Sequence, residues 1–361
     1  MKTISPPATL RERIGQLLSV GFRGCRPAEC DLIVRDIREH HIGGVVLFDQ
    51  EMADQTTKRR NVESPAQVKE LLAFLQSHAR LPLLTSIDQE GGRVNRLKPV
   101  YGFPESVSHE ELGKRDQPAE THRQADATAK TLASVGLNWN LAPVVDLDAH
   151  PDNPIIKGKG RSFSSDPEAV AQHAAEFVQA HRARGVLTCL KHFPGHGSAT
   201  GDTHLGLVNV TQTWSEKELI PFRRLIEAGL CDAVMSAHVF NAKLDPERPA
   251  TLSRAIITGL LREQLGFRGV ISSDDMEMKA ISSQYGLENS VPEAINAGID
   301  VLCFGNNLSY DSDIARRAAD ILVSAVENGR VPTARIDESC ARVLALKRKL
   351  VAASASEWTG G

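Results

Sequence analysis

Short apolar runs rich in Val, Ile and Leu recur along the chain, with amphipathic stretches between them. A short run that is apolar throughout suits a strand covered on both faces. The pattern predicts strands at Leu17–Phe22, Gly43–Phe48, Leu83–Asp88, Leu137–Asp146, Val186–His192, Ala233–Val239, Gly269–Asp274 and Val301–Gly305. Helices are predicted over Ser64–Ala79, Ala119–Ser134, Pro167–Ala183, Ser215–Ala228, Ser253–Leu265 and Ser312–Asn328. Ser64 followed by Pro65 is a helix start, since proline lacks an amide hydrogen that the first turn cannot use. Gly229, Gly266 and Gly298 stand where helices should stop.

Strands alternating with helices predict a parallel sheet clad in helices. Eight such units favour a single (β/α)8 TIM-like barrel over an open doubly wound sheet. No GxGxxG follows the first run, which weakens the open-sheet alternative further. The polar segment Asp49–Glu63 reads as a long loop after the second strand. A last helix, Ile336–Lys349, is expected on the barrel exterior, with residues 1–351 as one domain and Ala352–Gly361 as a loose tail. No repeat, low-complexity tract or Pro/Gly/Ser-rich linker divides the chain.

Composition narrows the partners more than the fold. At 361 residues, 41% hydrophobic and 24% charged, the chain can bury a large core. A net charge of −3 offers no footprint for nucleic acid or an anionic membrane. None of the six cysteines forms a CxxC pair, and Cys189, Cys231 and Cys303 lie in or beside apolar runs, as buried free thiols do. The start, Met1-Lys2-Thr3-Ile4-Ser5-Pro6-Pro7, has no apolar secretory core, and no apolar run reaches membrane-spanning length. A reducing cytoplasm fits these features.

Candidate chemistry collects where barrel enzymes keep it, at the C-terminal ends of the strands. The seventh run ends in Ser273-Asp274-Asp275, where an ionised Asp274 can attack a carbon, hold a metal or bind hydroxyls. A structural role as helix N-cap is the competing reading, and two adjacent aspartates allow both, Asp275 serving as cap or support. After the fifth run comes the glycine-rich Gly195–His204 stretch, in which Asp202 and His204 stand two apart. A carboxylate beside an imidazole fixes its tautomer and raises its pKa, which suits a proton shuttle. Asp88, Arg96, Arg161, Lys191 and His192 complete a polar bowl suited to a polyhydroxylated ligand. His192, His196, Asp202 and His204 could instead ligate zinc, but Pro194 and two glycines interrupt the helix that the His192–His196 spacing would need.

Six ordered blocks then resemble a known family: Ile87-Asp88-Gln89-Glu90-Gly91-Gly92-Arg93-Val94, Asn140-Leu141-Ala142-Pro143-Val144-Val145-Asp146, Gly160-Arg161-Ser162-Phe163, Lys191-His192-Phe193-Pro194-Gly195-His196-Gly197, Asp202-Thr203-His204 and Ser273-Asp274-Asp275-Met276. They resemble glycoside hydrolase family 3, in its bacterial, NagZ-type β-N-acetylglucosaminidase branch. The resemblance implies a barrel without the second α/β sandwich domain of longer members. It implies a retaining exo-β-N-acetylglucosaminidase that needs no cofactor or metal. Asp274 falls on the family nucleophile, and His204, supported by Asp202, falls on the acid/base. Sugar-binding positions fall on Asp88, Arg96, Arg161, Lys191 and His192. The implied partner is a small glycan bearing N-acetylglucosamine, from muropeptides of cell-wall recycling or from chitooligosaccharides, handled by a monomer or weak homo-oligomer. The chain departs from compact members in the longer Asp49–Glu63 and Asp148–Lys159 loops, which border the bowl and bear on aglycone preference. Phosphorolysis on the same site, a metal-dependent hydrolase and a non-catalytic sugar-binding barrel are the alternatives.

Overall fold

The computed structural model describes residues 6–52 and 59–356. Among these residues eight parallel strands close a TIM barrel: β1 (Leu18–Gly21), β2 (Gly44–Leu47), β3 (Leu84–Ile87), β4 (Trp139–Asn140), β5 (Leu187–Phe193), β6 (Ala233–Ser236), β7 (Val270–Asp275) and β8 (Val301–Phe304). Each strand pairs with its neighbour in sequence, and β1 closes the ring on β8 with Leu18 opposite Leu302. β4 is far shorter than its apolar run. Pro143 has no amide hydrogen for the ladder, and beyond it only Val144 bridges to Lys191.

Helices form where their start and stop signals stand. Ser64 Oγ accepts the Gln67 amide at 3.2 Å above helix Pro65–His78. Gly229 and Gly266 follow their helices with φ of 68° and 70°, a region open to glycine. Helix Lys279–Ala297, between β7 and β8, has no counterpart in the predicted elements. Gly286 breaks it at φ 63° and Pro292 lies inside it, so its sequence lacks an unbroken helical period. The sixth crossover, Ala255–Gln264, is wound with π-type bonds, such as Leu265 N–H to Leu260 O at 2.9 Å.

The C-terminal helix corrects an expectation. Helix Thr333–Ser356 does not pack on the outside of the barrel; it plugs the floor. Its Val343 and Leu346 are buried in one cluster with Val46, Leu84, Trp139, Leu187, Val270 and Val301 from inside the ring. Its basic residues bond to groups just ahead of the strands. Lys347 Nζ donates to Gln16 Oε1 at 2.7 Å, Lys349 Nζ to Asp232 Oδ1 at 2.9 Å, and Arg342 Nη1 to Asp300 Oδ1 at 3.0 Å. Those residues precede β1, β6 and β8. The helix also runs to Ser356, so the first part of the expected tail is helical; residues 357–361 lie outside the described residues.

A second apolar layer lies between the ring and the surrounding helices. In the long loop after β2, Gln50 bridges to Arg59, while residues 53–58 lie outside the described residues, as do residues 1–5 of the Met1–Pro7 start. No helix among the described residues is long and apolar enough to cross a membrane. All six cysteines are free; Cys189 and Cys303 are buried and Cys231 half-buried.

Candidate active site

The C-terminal ends of the strands open into one cleft. Asp88, Arg96, Arg161, Lys191, His192, His204 and Asp274 all line it, and Asp202 stands directly behind His204. The eight residues singled out from the sequence therefore come together, although they span positions 88 to 274.

The cleft base is an ion network. Lys191, buried at the end of β5, donates through Nζ to Asp88 Oδ1 at 2.6 Å and lies 2.7 Å from Glu90 Oε1. Arg161 forks onto the same Glu90 through Nε and Nη2, each at 2.8 Å. Burial alone would raise the pKa of Glu90, but Arg161 and Lys191 more than offset it and hold the group well below the carboxylate range. Burial likewise opposes the charge on Lys191, and Asp88 and Glu90 overcome it to push that pKa up. Arg96 is held more loosely, 3.8 Å from Asp49 and 3.9 Å from Asp88.

A second buried carboxylate, Asp146, organises the histidines. It accepts His192 Nδ1 at 2.7 Å, the His192 amide at 3.2 Å and the His196 amide at 2.7 Å. Arg161 Nη2 lies 3.3 Å from His192 Nε2. His192 is thereby held between Asp146 on Nδ1 and Arg161 beside Nε2. Burial would raise the pKa of Asp146, but His192 and His196 bring it below its ordinary value.

Asp274, at the end of β7, is half-buried and opens into the cleft. Its Oδ1 accepts the Asp275 amide at 2.8 Å. Desolvation opposes its charge, yet His192, His238 and His204 around it carry the pKa down to about 2. Asp275 is not a helix cap: its Oδ1 accepts the Glu277 and Gly305 amides, both at 3.0 Å, and ties β7 to β8. Burial pushes its pKa up to about 6. His238 Nε2 lies 3.0 Å from the Asp275 carbonyl and its Nδ1 2.8 Å from Thr251 Oγ1. Burial lowers its pKa.

Across the cleft, His204 Nδ1 lies 2.6 Å from Asp202 Oδ1, which also accepts the His204 amide at 2.9 Å. The backbone between them bends enough to bring side chains two residues apart onto one another. Burial raises the pKa of Asp202, and its bonds to His204 more than reverse this. With Nδ1 engaged, Nε2 is the ring nitrogen left for a ligand. Neighbouring Leu205 is 75% exposed, so this part of the loop stands at the surface.

Among the described residues, no three His, Cys, Asp or Glu side chains converge as metal ligands. The four weighed as ligands are engaged otherwise: His192 with Asp146, His204 with Asp202, and His196 Nε2 at 3.4 Å from Thr203 Oγ1. Sequence reasoning missed Glu90, Asp146 and His238. Glu90 stands two residues from Asp88, and Asp146 closes the apolar run Leu137–Asp146; a carboxylate in such a position was the available signal.

The family profile described as "Glycosyl hydrolase family 3 N terminal domain" matches residues 9–346. A curated relative, β-hexosaminidase A of Pseudoalteromonas piscicida, is 34% identical across 97% of this chain and 63% of its own length. The β-hexosaminidase of Tolumonas auensis is 36% identical across 80% of this chain and 83% of its own. Among solved structures, a family 3 β-N-acetylglucosaminidase from Paenibacillus sp. superposes with a TM-score of 0.87 at 38% identity, over 96% of this chain and 63% of that one. A β-N-acetylhexosaminidase from Beutenbergia cavernae gives 0.82 at 32% identity, over 95% and 99%. The chain thus spans less than two thirds of the first of these relatives and nearly the whole of the last.

Proposed function

The chain belongs to glycosyl hydrolase family 3, and from that premise we propose that it is a retaining exo-β-N-acetylglucosaminidase. The substrate class is a glycan with a terminal, β-linked N-acetylglucosamine, as the names of the relatives suggest, and fragments of peptidoglycan or chitin carry such ends. One observation carries the reading: an ionised Asp274 shares its cleft with an imidazole whose other nitrogen is held by a carboxylate.

Asp274 attacks the anomeric carbon while His204 Nε2–H protonates the departing oxygen. The C–O bond to the aglycone breaks as a glycosyl–aspartate ester forms. His204, now neutral, takes a proton from water, the water oxygen attacks the same carbon, and Asp274 leaves as carboxylate. Two inversions restore the starting configuration. Asp202 keeps the other His204 proton on Nδ1 and stabilises the imidazolium that precedes the first step and follows the second. The Asp88–Lys191–Glu90–Arg161 network offers hydroxyl groups both acceptors and donors in fixed positions.

The test is to trap the ester. A slow fluorinated N-acetylglucosaminyl substrate should leave a covalent adduct on the Asp274 peptide by mass spectrometry. Asp274→Asn should lower kcat by roughly 10⁴-fold or more. An adduct on another residue, or a product of inverted configuration by NMR, would overturn the assignment. His204→Ala should slow alkyl glycosides by about 10²-fold or more and aryl glycosides with acidic aglycones far less. Equal losses on both would remove its role as acid.

A further inference from the structure

The loop that carries the dyad is buried at its root and exposed just past His204, before it pairs Val208 with Val239. Its root, Pro194 to Ala199, is wholly buried, whereas Leu205 is exposed and nothing lies within 4 Å of a Cβ built on Gly206. Two buried carboxylates hold the root. Asp146 accepts the His196 amide at 2.7 Å, and Glu218, from the short helical turn Glu216–Leu219, accepts the next amide, that of Gly197, at 2.9 Å. The fit allows no side chain at either glycine. A Cβ on Gly195 would stand 2.6 Å from Glu218 Cβ, and one on Gly197 would stand 2.0 Å from the Leu147 carbonyl oxygen. Asp146 is explained by the histidines it orients. Glu218 touches none of the groups given a chemical role, yet it is 1% exposed. A buried carboxylate is costly to keep unless its bonds matter.

We propose that Glu218 is the positioning residue that fixes the root of the loop, and through it the Asp202–His204 dyad. The proposal rests on reading His204 as the acid/base. The latch also takes in Ser198, whose hydroxyl and amide face the buried Glu218 carboxylate. The charged group facing Glu218 is Asp146; Ser198 and Gly197 face it with uncharged dipoles. Burial, reinforced by Asp146, pushes the Glu218 pKa up to about 7, so its charge, and with it the strength of the bond to Gly197, changes near neutrality.

The experiment compares an alkyl and a 4-nitrophenyl β-N-acetylglucosaminide, because only the alkyl leaving group needs a well-placed acid. Glu218→Ala should lower kcat/KM on the alkyl glycoside about tenfold while leaving the aryl glycoside within about twofold. Glu218→Gln retains an acceptor for Gly197 and the shape of the protonated acid. On the alkyl glycoside the parent should equal this variant at pH 5.5 and exceed it severalfold at pH 8, with no such divergence on the aryl glycoside. Comparing parent with variant cancels the pH dependence the two share, and the Gln arm decides if the Ala variant does not fold. Losses that are equal for both aglycones at every pH would overturn the proposal, since general destabilisation does not distinguish leaving groups. His204→Ala is run alongside. If it fails to discriminate, the acid assignment itself falls; if it discriminates and the Glu218 variants do not, only the latch falls.

Discussion

Asp146 reaches no ligand, yet it sets the orientation of two histidines. It accepts the His192 and His196 amides and the His192 ring nitrogen, all directed at one buried carboxylate. Asp146→Asn would turn an NH2 group toward donors and leave at least one of them unpaired. We expect a loss of about 2–4 kcal/mol in stability, read by urea denaturation, with a lower kcat/KM on every substrate. At this scale much of the site was legible. Asp274, Asp202 and His204 stand out because each follows an apolar run or sits in a glycine-rich loop, where a polar residue has little structural purpose. Asp146 and Glu90 were not singled out, because their partners are remote in sequence: Glu90 meets Arg161 and Lys191, 71 and 101 positions away. No local pattern records a bond of that span.

Strands and helices were legible to different depths. Apolar runs mark a strand that is covered on both faces, and all eight appear in the barrel near their predicted places. Helix Lys279–Ala297 was hidden by its own glycine and proline. The floor helix was visible as a helix but was assigned to the wrong surface, for a physical reason. Amphipathicity reports that one face is buried and is silent on what covers it. Its true contacts predict a graded response. Leu346→Ala, fully inside the floor cluster, should cost about 2–5 kcal/mol, and Leu350→Ala, partly buried at its edge, clearly less. Thermal melts of the two variants would check the order; equal losses would argue against a floor. The active-site bonds lie at the opposite mouth, so folded molecules of either variant should keep parental kcat.

For the whole molecule, the floor introduces a pH dependence. Lys347 is fully buried, and burial lowers its pKa to about 7 from the ordinary lysine range. A lysine that is harder to protonate when folded weakens the fold as pH falls from that ordinary range toward 7, and below 7 the penalty stays constant. Lys347→Met removes the penalty, so its melting temperature relative to the parent should be higher at pH 6 than at pH 9. The same difference at both pH values would show that the buried ammonium is of no consequence. Asp274 acts in the opposite sense. With its pKa depressed to about 2, its contribution is present above the ordinary carboxylate range and is lost only as pH falls toward 2. The ring raises one further consequence. β1 finds its second neighbour only in β8, about 280 residues later, and the floor comes later still. While such a chain emerges from a ribosome, its growing sheet has two unpaired edges and an open underside. Stalled nascent chains should therefore stay protease-sensitive until the Val343–Leu346 stretch has cleared the exit tunnel, and a chaperone that shields strand edges should bind every shorter one.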